Sequence, residues 1–280
     1  REGAVLSPEH NRSLTVAAPK SSQAPRVRHA RVTLFIGNRN PKGRGAVESA
    51  SRLLGTTISA AGVLRQAFAE PELIPLPAPF GSRAARNFDS PDYDLLPALL
   101  RRKVSTESPL SDAPLDAVSD APSVVVKVGF EWELTNWLFA GFARGAPRLG
   151  KWLLPRLAVL GGGWFRFGSS GGAVMAELFL EDGKVSHCAV VARDRGQRMA
   201  ALPAVYVAER LARGEVSRTG AVTAYDVLGG ERLLELLAAD GCEVVTSGAN
   251  LRAAAETMRT ATAAIAVSIP ATSPTAGRRP

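Results

Sequence analysis

The chain is poor in cysteine, with only Cys188 and Cys242 in 280 residues. Both lie in apolar contexts without metal-ligand spacing, which excludes a disulfide scaffold and a zinc module and fits a reducing compartment. Aromatic residues are also scarce, at 6%. Nucleic-acid modules combine basic residues with stacking aromatics on one face. The net charge of +8 therefore does not point to nucleic acid, and its excess sits in the first fifty or so residues and at Arg278-Arg279. Long uninterrupted apolar runs are missing too. The most apolar part, residues 132–160, is broken by Glu133, Arg144, Arg148, Lys151 and Arg156, whereas a membrane span needs about 20 nearly uninterrupted apolar residues. The chain begins at Arg1 and shows no apolar signal-peptide core. A cytoplasmic protein fits best, and an Arg- and Ser-containing, acid-poor start leaves an organellar one open.

What is present is a hydrophobic fraction of 46%, enough for a sizeable core in one large or two ordinary domains. Residues 31–55, RVTLFIGNRNPKGRGAVESASRLLG, read as a strand, a basic glycine-punctuated loop and a helix. Val32, Leu34 and Ile36 alternate with Thr33 and Phe35. The loop from Asn38 to Gly45 places Arg39, Lys42 and Arg44 and several backbone amides ahead of a helix start, where the dipole favours an anion. Three phosphate motifs come close and fail. A dinucleotide fingerprint needs a third glycine where Glu48 stands, a Walker loop needs Ser or Thr after Lys42, and the kinase glycine loop also wants that third glycine. Two readings fit: a ligand-facing loop, or a strand-to-helix connection whose cations are solvated.

Residues 1–28, 103–122 and those beyond about 246 are rich in Ser, Pro, Ala or Asp without a sustained period, and are expected to be two mobile ends and an acidic surface insertion around a domain spanning 29–246. Asp94 to Leu100 opens a short helix, and Val124, Val126 and Val128 mark a strand whose apolar run predicts a central position. Two helices are expected in 132–160, separated near Gly145-Ala146-Pro147, to cover the sheet, pair with another subunit or touch a membrane surface. Gly161-Gly162-Gly163 and Gly168 to Gly172 flank Trp164, Phe165 and Phe167, as a connector or a lid. Residues 173–180 and 184–192 flank Asp182-Gly183, a strong hairpin signal. His187, the one histidine beyond residue 29, is the natural acid–base residue, although a lone strand histidine is more often structural. Helices near 200–213 and 230–239 and a strand near 242–245 follow.

The order of these motifs resembles the non-nucleotide half of saccharopine dehydrogenase-like oxidoreductases. It is carried by GNRNPKGRGAVES at 37–49, PLPAPFG at 75–81, DSPDYDLLP at 89–97, VVVKVGFEWELTNW at 124–137, the glycine-led hairpin, and LPAVYVAERLARGEV with TGAVTAYDVLGGERLLELLAADG at the end. The resemblance implies an α+β fold: a mixed, largely antiparallel sheet with helices packed on one face. It also implies closure against a Rossmann domain so that substrate and NAD(P) meet in a cleft, and a homo-oligomer. The dinucleotide turn such proteins carry is absent, so NAD(P) is expected only in the context of a longer parent chain. Under this reading Asn38, Arg39, Lys42, Gly43 and Gly45 are expected to contact an anionic substrate or the cofactor's phosphates. Lys127 and His187 are the proton-transfer candidates, and no metal is implied. The alternative is a non-enzymatic interaction module that uses 132–160 for self-association or membrane-surface contact.

Overall fold

The computed structural model describes residues 26–41, 43–60, 63–102, 122–161, 167–217, 220 and 223–247. Lys42, residues 103–121, residues 162–166 of the glycine-flanked connector, and the expected tails apart from residues 26–28 and 247 lie outside the described residues; Val27 and Arg28 belong to β1 and Ser247 to β9. Nine strands and seven helices occur among those described. They are β1 (Val27–Ile36), α1 (Arg44–Arg52), β2 (Thr57–Ala60), β3 (Val63–Gln66), β4 (Glu72–Leu76), β5 (Gly81–Asn87), α2 (Asp92–Arg102) and β6 (Ser123–Phe130). There follow α3 (Glu133–Gly145), α4 (Pro147–Gly161), β7 (Gly172–Leu180), β8 (Val185–Ala192), α5 (Gly196–Ala212), α6 (Ala224–Leu228), α7 (Gly230–Ala239) and β9 (Glu243–Ser247).

Seven strands form one mixed sheet in the order β4-β5-β6-β1-β7-β8-β9, and β2 and β3 make a separate hairpin. Of the pairings in the large sheet, β1 with β6 is parallel and the others are antiparallel. The fold is thus α+β with a largely antiparallel mixed sheet, as the sequence leads one to expect. Because side chains alternate across a strand, β1 turns Ala30 and Val32 to one face and Arg31, Thr33 and Phe35 to the other. The first face carries the main core. Val32, Val126, Ala176, Leu178 and Val190 of the strands pack there under Leu96 of α2, Phe139 of α3, Met199 and Leu202 of α5 and Leu233 and Leu237 of α7. The second face has a smaller apolar cluster of Phe35, Ile74, Leu76, Phe80, Met175 and Val191, to which no described helix contributes.

That second face is concave because β5 leaves the sheet. It pairs with β4 along its length, from Glu72↔Ala85 to Leu76↔Gly81, but with β6 only at Arg86↔Val128 and Asn87↔Lys127. The β4–β5 hairpin is therefore free to bend over the face, and Phe80 at its turn lies 4.7 Å from the Phe35 ring.

Asp92, in the first turn of α2, is fully buried. It accepts a 2.7 Å hydrogen bond from the Ser90 hydroxyl, yet burial pushes its carboxyl up to about 6, against an ordinary value of 3.8. Since the folded state holds this proton more tightly than the unfolded chain, stability falls as pH rises from about 3.8 through 6 and levels off above. Two units correspond to about 3 kcal/mol. Asp92→Asn is expected to stabilise the protein by up to that amount at pH 8 and to change little at pH 4, as measured by urea denaturation at both values.

Candidate functional site

The loop after β1 is tied into the fold by its asparagines. Asn38 donates its backbone N–H to Glu131 Oε2 at 2.7 Å and its side-chain amide to the Phe167 carbonyl at 3.0 Å. Asn40 donates to the carbonyls of Gly37 at 3.1 Å and Gly171 at 2.7 Å, and its Oδ1 accepts from the Gln197 N–H at 3.2 Å. The Glu131 carboxylate also accepts from the Ser169 N–H, at 2.7 Å to Oε2. A residue between β6 and α3 thus clamps two segments that the sequence leaves far apart. Buried polar groups need such partners, which explains why both asparagines and Glu131 are there. Arg39 is exposed, as are Gly43 and Gly45 at the start of α1; a Cβ added at either glycine would meet nothing within 4 Å. Of the loop residues with candidate ligand roles, Asn38 serves the scaffold, while Arg39, Gly43 and Gly45 face outward.

Lys127 and His187 both lie on the helix-free face, as the register shows. One row across the sheet reads Val125, Arg31, Glu177, His187 and Ser247; its neighbour reads Asn87, Lys127, Thr33, Met175, Ala189 and Val245. Between Lys127 on β6 and His187 on β8 stand β1 and β7, three inter-strand spacings or roughly 14 Å. They do not meet as an acid–base pair. Half-buried His187 instead sits opposite Glu177.

The face does gather a second set of residues, and these are charged. Arg31 donates from Nε to Glu177 Oε2 at 2.6 Å and from Nη1 to Glu72. Lys127, with only 6% of its side chain exposed, lies 3.2 Å from the other oxygen of Glu72 and donates to the Glu70 carbonyl at 3.1 Å. Arg65 pairs with the Glu70 side chain. Arg31, Arg65, Glu70, Glu72 and Lys127, together with His29, Pro71 and Val125, line a concavity of about 330 Å³. Arg31 on β1 and Glu72 on β4 are three strands apart, so only the curl of the hairpin lets them touch.

The electrostatics follow from this packing. Burial opposes the charge of Arg31, but the hydrogen bond and charge of Glu177, aided by Glu72, hold its guanidinium above its ordinary value. His29 is pushed below 6.5, first by burial and then by Arg31 and Arg65, so its ring is neutral at pH 7. Its Nδ1 lies 2.8 Å from the Ser123 hydroxyl. Thr33 Oγ1, beside Lys127 in the register, is buried and has no hydrogen-bond partner among the described residues. The recess therefore sets two cations, Arg31 and Lys127, converging on one partly exposed carboxylate, Glu72.

Arg31, Glu72 and Glu177 are not singled out by sequence motifs. The signal was a charge in phase with the buried positions of a strand: Arg31 shares the parity of Thr33 and Phe35, and Glu177 interrupts the apolar run AVMAELFL. Among the described residues, no group of three or more His, Cys, Asp or Glu side chains could hold a metal ion, and no helix is long and apolar enough to cross a membrane. Compared with known proteins, the chain matches no family model and no curated sequence.

Proposed function

We propose that this chain is the substrate-binding portion of an NAD(P)-dependent oxidoreductase similar to saccharopine dehydrogenase, and that the recess on the helix-free face takes a small amphoteric molecule of the amino-acid class. The observation that carries the reading is the convergence of Arg31 and Lys127 on Glu72. Two cations held in place by a buried strand pair form a preorganised fork for a carboxylate, and charge-assisted hydrogen bonds of this kind are the strong ones. Glu72 is 39% exposed on the bent hairpin, so a substrate carboxylate that displaces it inherits both partners. Glu72, thus released, offers an acceptor for an ammonium group. The order of sequence motifs supports the same reading, since the GNRNPKGRG loop ends β1 and the VVVKVGFEWE segment forms β6, the two parallel strands that carry Arg31 and Lys127.

The chemistry available here is binding and orientation. Lys127 holds charge at a buried position, His29 is a neutral ring at the rim, and hydride transfer would come from the nicotinamide bound by a separate module. The reading is tested by calorimetric titration with NADPH and NADH of this chain beside the chain translated from its own start codon. Binding by the longer form alone is the expected result, and absence of binding by both overturns the reading.

A further inference from the structure

We propose that α3 and α4 form a docking face for an anionic lipid bilayer, on whose surface they lie without crossing it. This inference is independent of the substrate recess, which is on the other side of the sheet. Each helix buries one stripe: α3 turns Asn136, Phe139, Ala140 and Ala143 inward, and α4 sits on Leu54 and Phe142 at Gly150, where an added Cβ would come within 2.6 Å of both. What remains outside includes large apolar side chains where solvated helices are polar. Trp137 is 64% exposed and Trp152 55%, and Leu134, Leu138, Leu149 and Leu157 are all exposed by a third or more. An exposed apolar patch of this kind marks an interaction site.

Charge decides the partner. Arg144, Arg148, Lys151 and Arg156 of α3 and α4 stand against a single carboxylate, Glu133 at the first residue of α3. On α4, Arg148, Trp152 and Arg156 stand at i, i+4 and i+8 and so share one face, with the Arg156 guanidinium 4.2 Å from the Trp152 ring. A two-fold contact with a second copy sets a patch against itself, which would oppose these cations to their own copies. An anionic bilayer supplies the missing sign and the apolar layer together. Helices that lie in the interface have this composition, with Lys and Arg beside Trp and Leu, and indole rings settle at the headgroup level. Gly141 and Gly145 add a notch: between Trp137, Leu138 and Phe142 they leave a shallow apolar groove of about 320 Å³, with the shape to receive part of an acyl chain.

The test is co-sedimentation of the 280-residue chain with vesicles of phosphatidylcholine alone and of phosphatidylcholine containing phosphatidylserine. Binding to the anionic vesicles at least tenfold tighter than to the neutral ones, weakened by salt, is expected. Trp137→Ser with Trp152→Ser should lower it at least tenfold, and Arg148→Gln with Arg156→Gln should remove the preference for phosphatidylserine. All four side chains are exposed, so the variants keep the fold, which circular dichroism checks. No binding to anionic vesicles overturns the proposal, as does binding that neither pair of substitutions weakens. A dimer in sedimentation equilibrium that the tryptophan substitutions dissociate also overturns it, because the face then belongs to a second copy.

Discussion

Arg31→Met is expected to destabilise the protein by about 3–5 kcal/mol, the range found when one partner of a buried ion pair is removed. The reason is Glu177. Its side chain is only 10% exposed, its carboxylate takes a 2.6 Å bond from Arg31 Nε, and water cannot replace that donor at so buried a site. Glu72, at 39% exposure, can turn to solvent and contributes little to the loss. Arg31→Lys retains a charge but not the fork that reaches Glu177 and Glu72 together, so an intermediate loss is expected. Arg31→Met combined with Glu177→Met should recover most of the stability, since the pair is then replaced by apolar side chains. Urea denaturation of the four proteins, followed by tryptophan fluorescence, measures all of this. A single Arg31→Met variant within 1 kcal/mol of the parent would mean that Glu177 is not held as described.

Gly171→Ala is expected to be as damaging, for a purely steric reason. A Cβ at this position would lie 2.7 Å from the Ala192 carbonyl oxygen and from Phe80 Cζ, and 2.8 Å from the Arg193 carbonyl oxygen. Two of the three obstacles are backbone at the end of β8, which cannot move without unpairing from β7. Gly196 approaches from the other side, and its own added Cβ would meet the backbone of Gly171 and Gly172 within 2.7 Å. The crossing is also where Gly37 and Asn40 dock, through the Gly171 carbonyl. A loss at or above the roughly 3 kcal/mol upper end of ordinary overpacking is expected, with a fall in melting temperature that calorimetry reads directly. Gly45→Ala is the control. Its Cβ meets nothing within 4 Å, and alanine in place of glycine in the first turn of α1 should leave stability unchanged or raise it by up to about 0.5–1 kcal/mol. Equal effects at the two positions would contradict the crossing geometry.

Local signals made much of the architecture legible. The alternation in residues 32–36 became β1, Asp182-Gly183 became the turn between β7 and β8, and Gly145-Ala146-Pro147 separates α3 from α4 as a glycine and a proline should. The unbroken Val124, Val126 and Val128 were a sound guide to a central strand, because both faces of β6 are covered. The four strands between residues 57 and 87 carried no such signal. Gly81–Asn87 reads GSRAARN and β4 contains Pro75, and neither resembles an apolar strand because the hairpin bends away from the sheet. The recess was harder still. Its bonds join residues 146 and 41 positions apart, Arg31 to Glu177 and Arg31 to Glu72, and a single strand reveals parity but not which charge lies opposite. In sequence the Asn38–Gly45 loop shows glycines and cations, whereas in the fold its asparagines stitch β1, the start of β7 and α5 together.

The substrate-domain reading is tested most directly by calorimetry on the chain translated from its own start codon, titrated with NADPH and then, in its presence, with L-glutamate as an amphoteric probe. The same titrations follow on Lys127→Met, in which Glu72 keeps its bond to Arg31 and the fold should persist. The expected result is that both proteins bind NADPH with equal affinity, while Lys127→Met binds the amino acid at least tenfold more weakly than the parent. Failure of the parent to bind NADPH, or amino-acid binding that ignores the loss of Lys127, would contradict it.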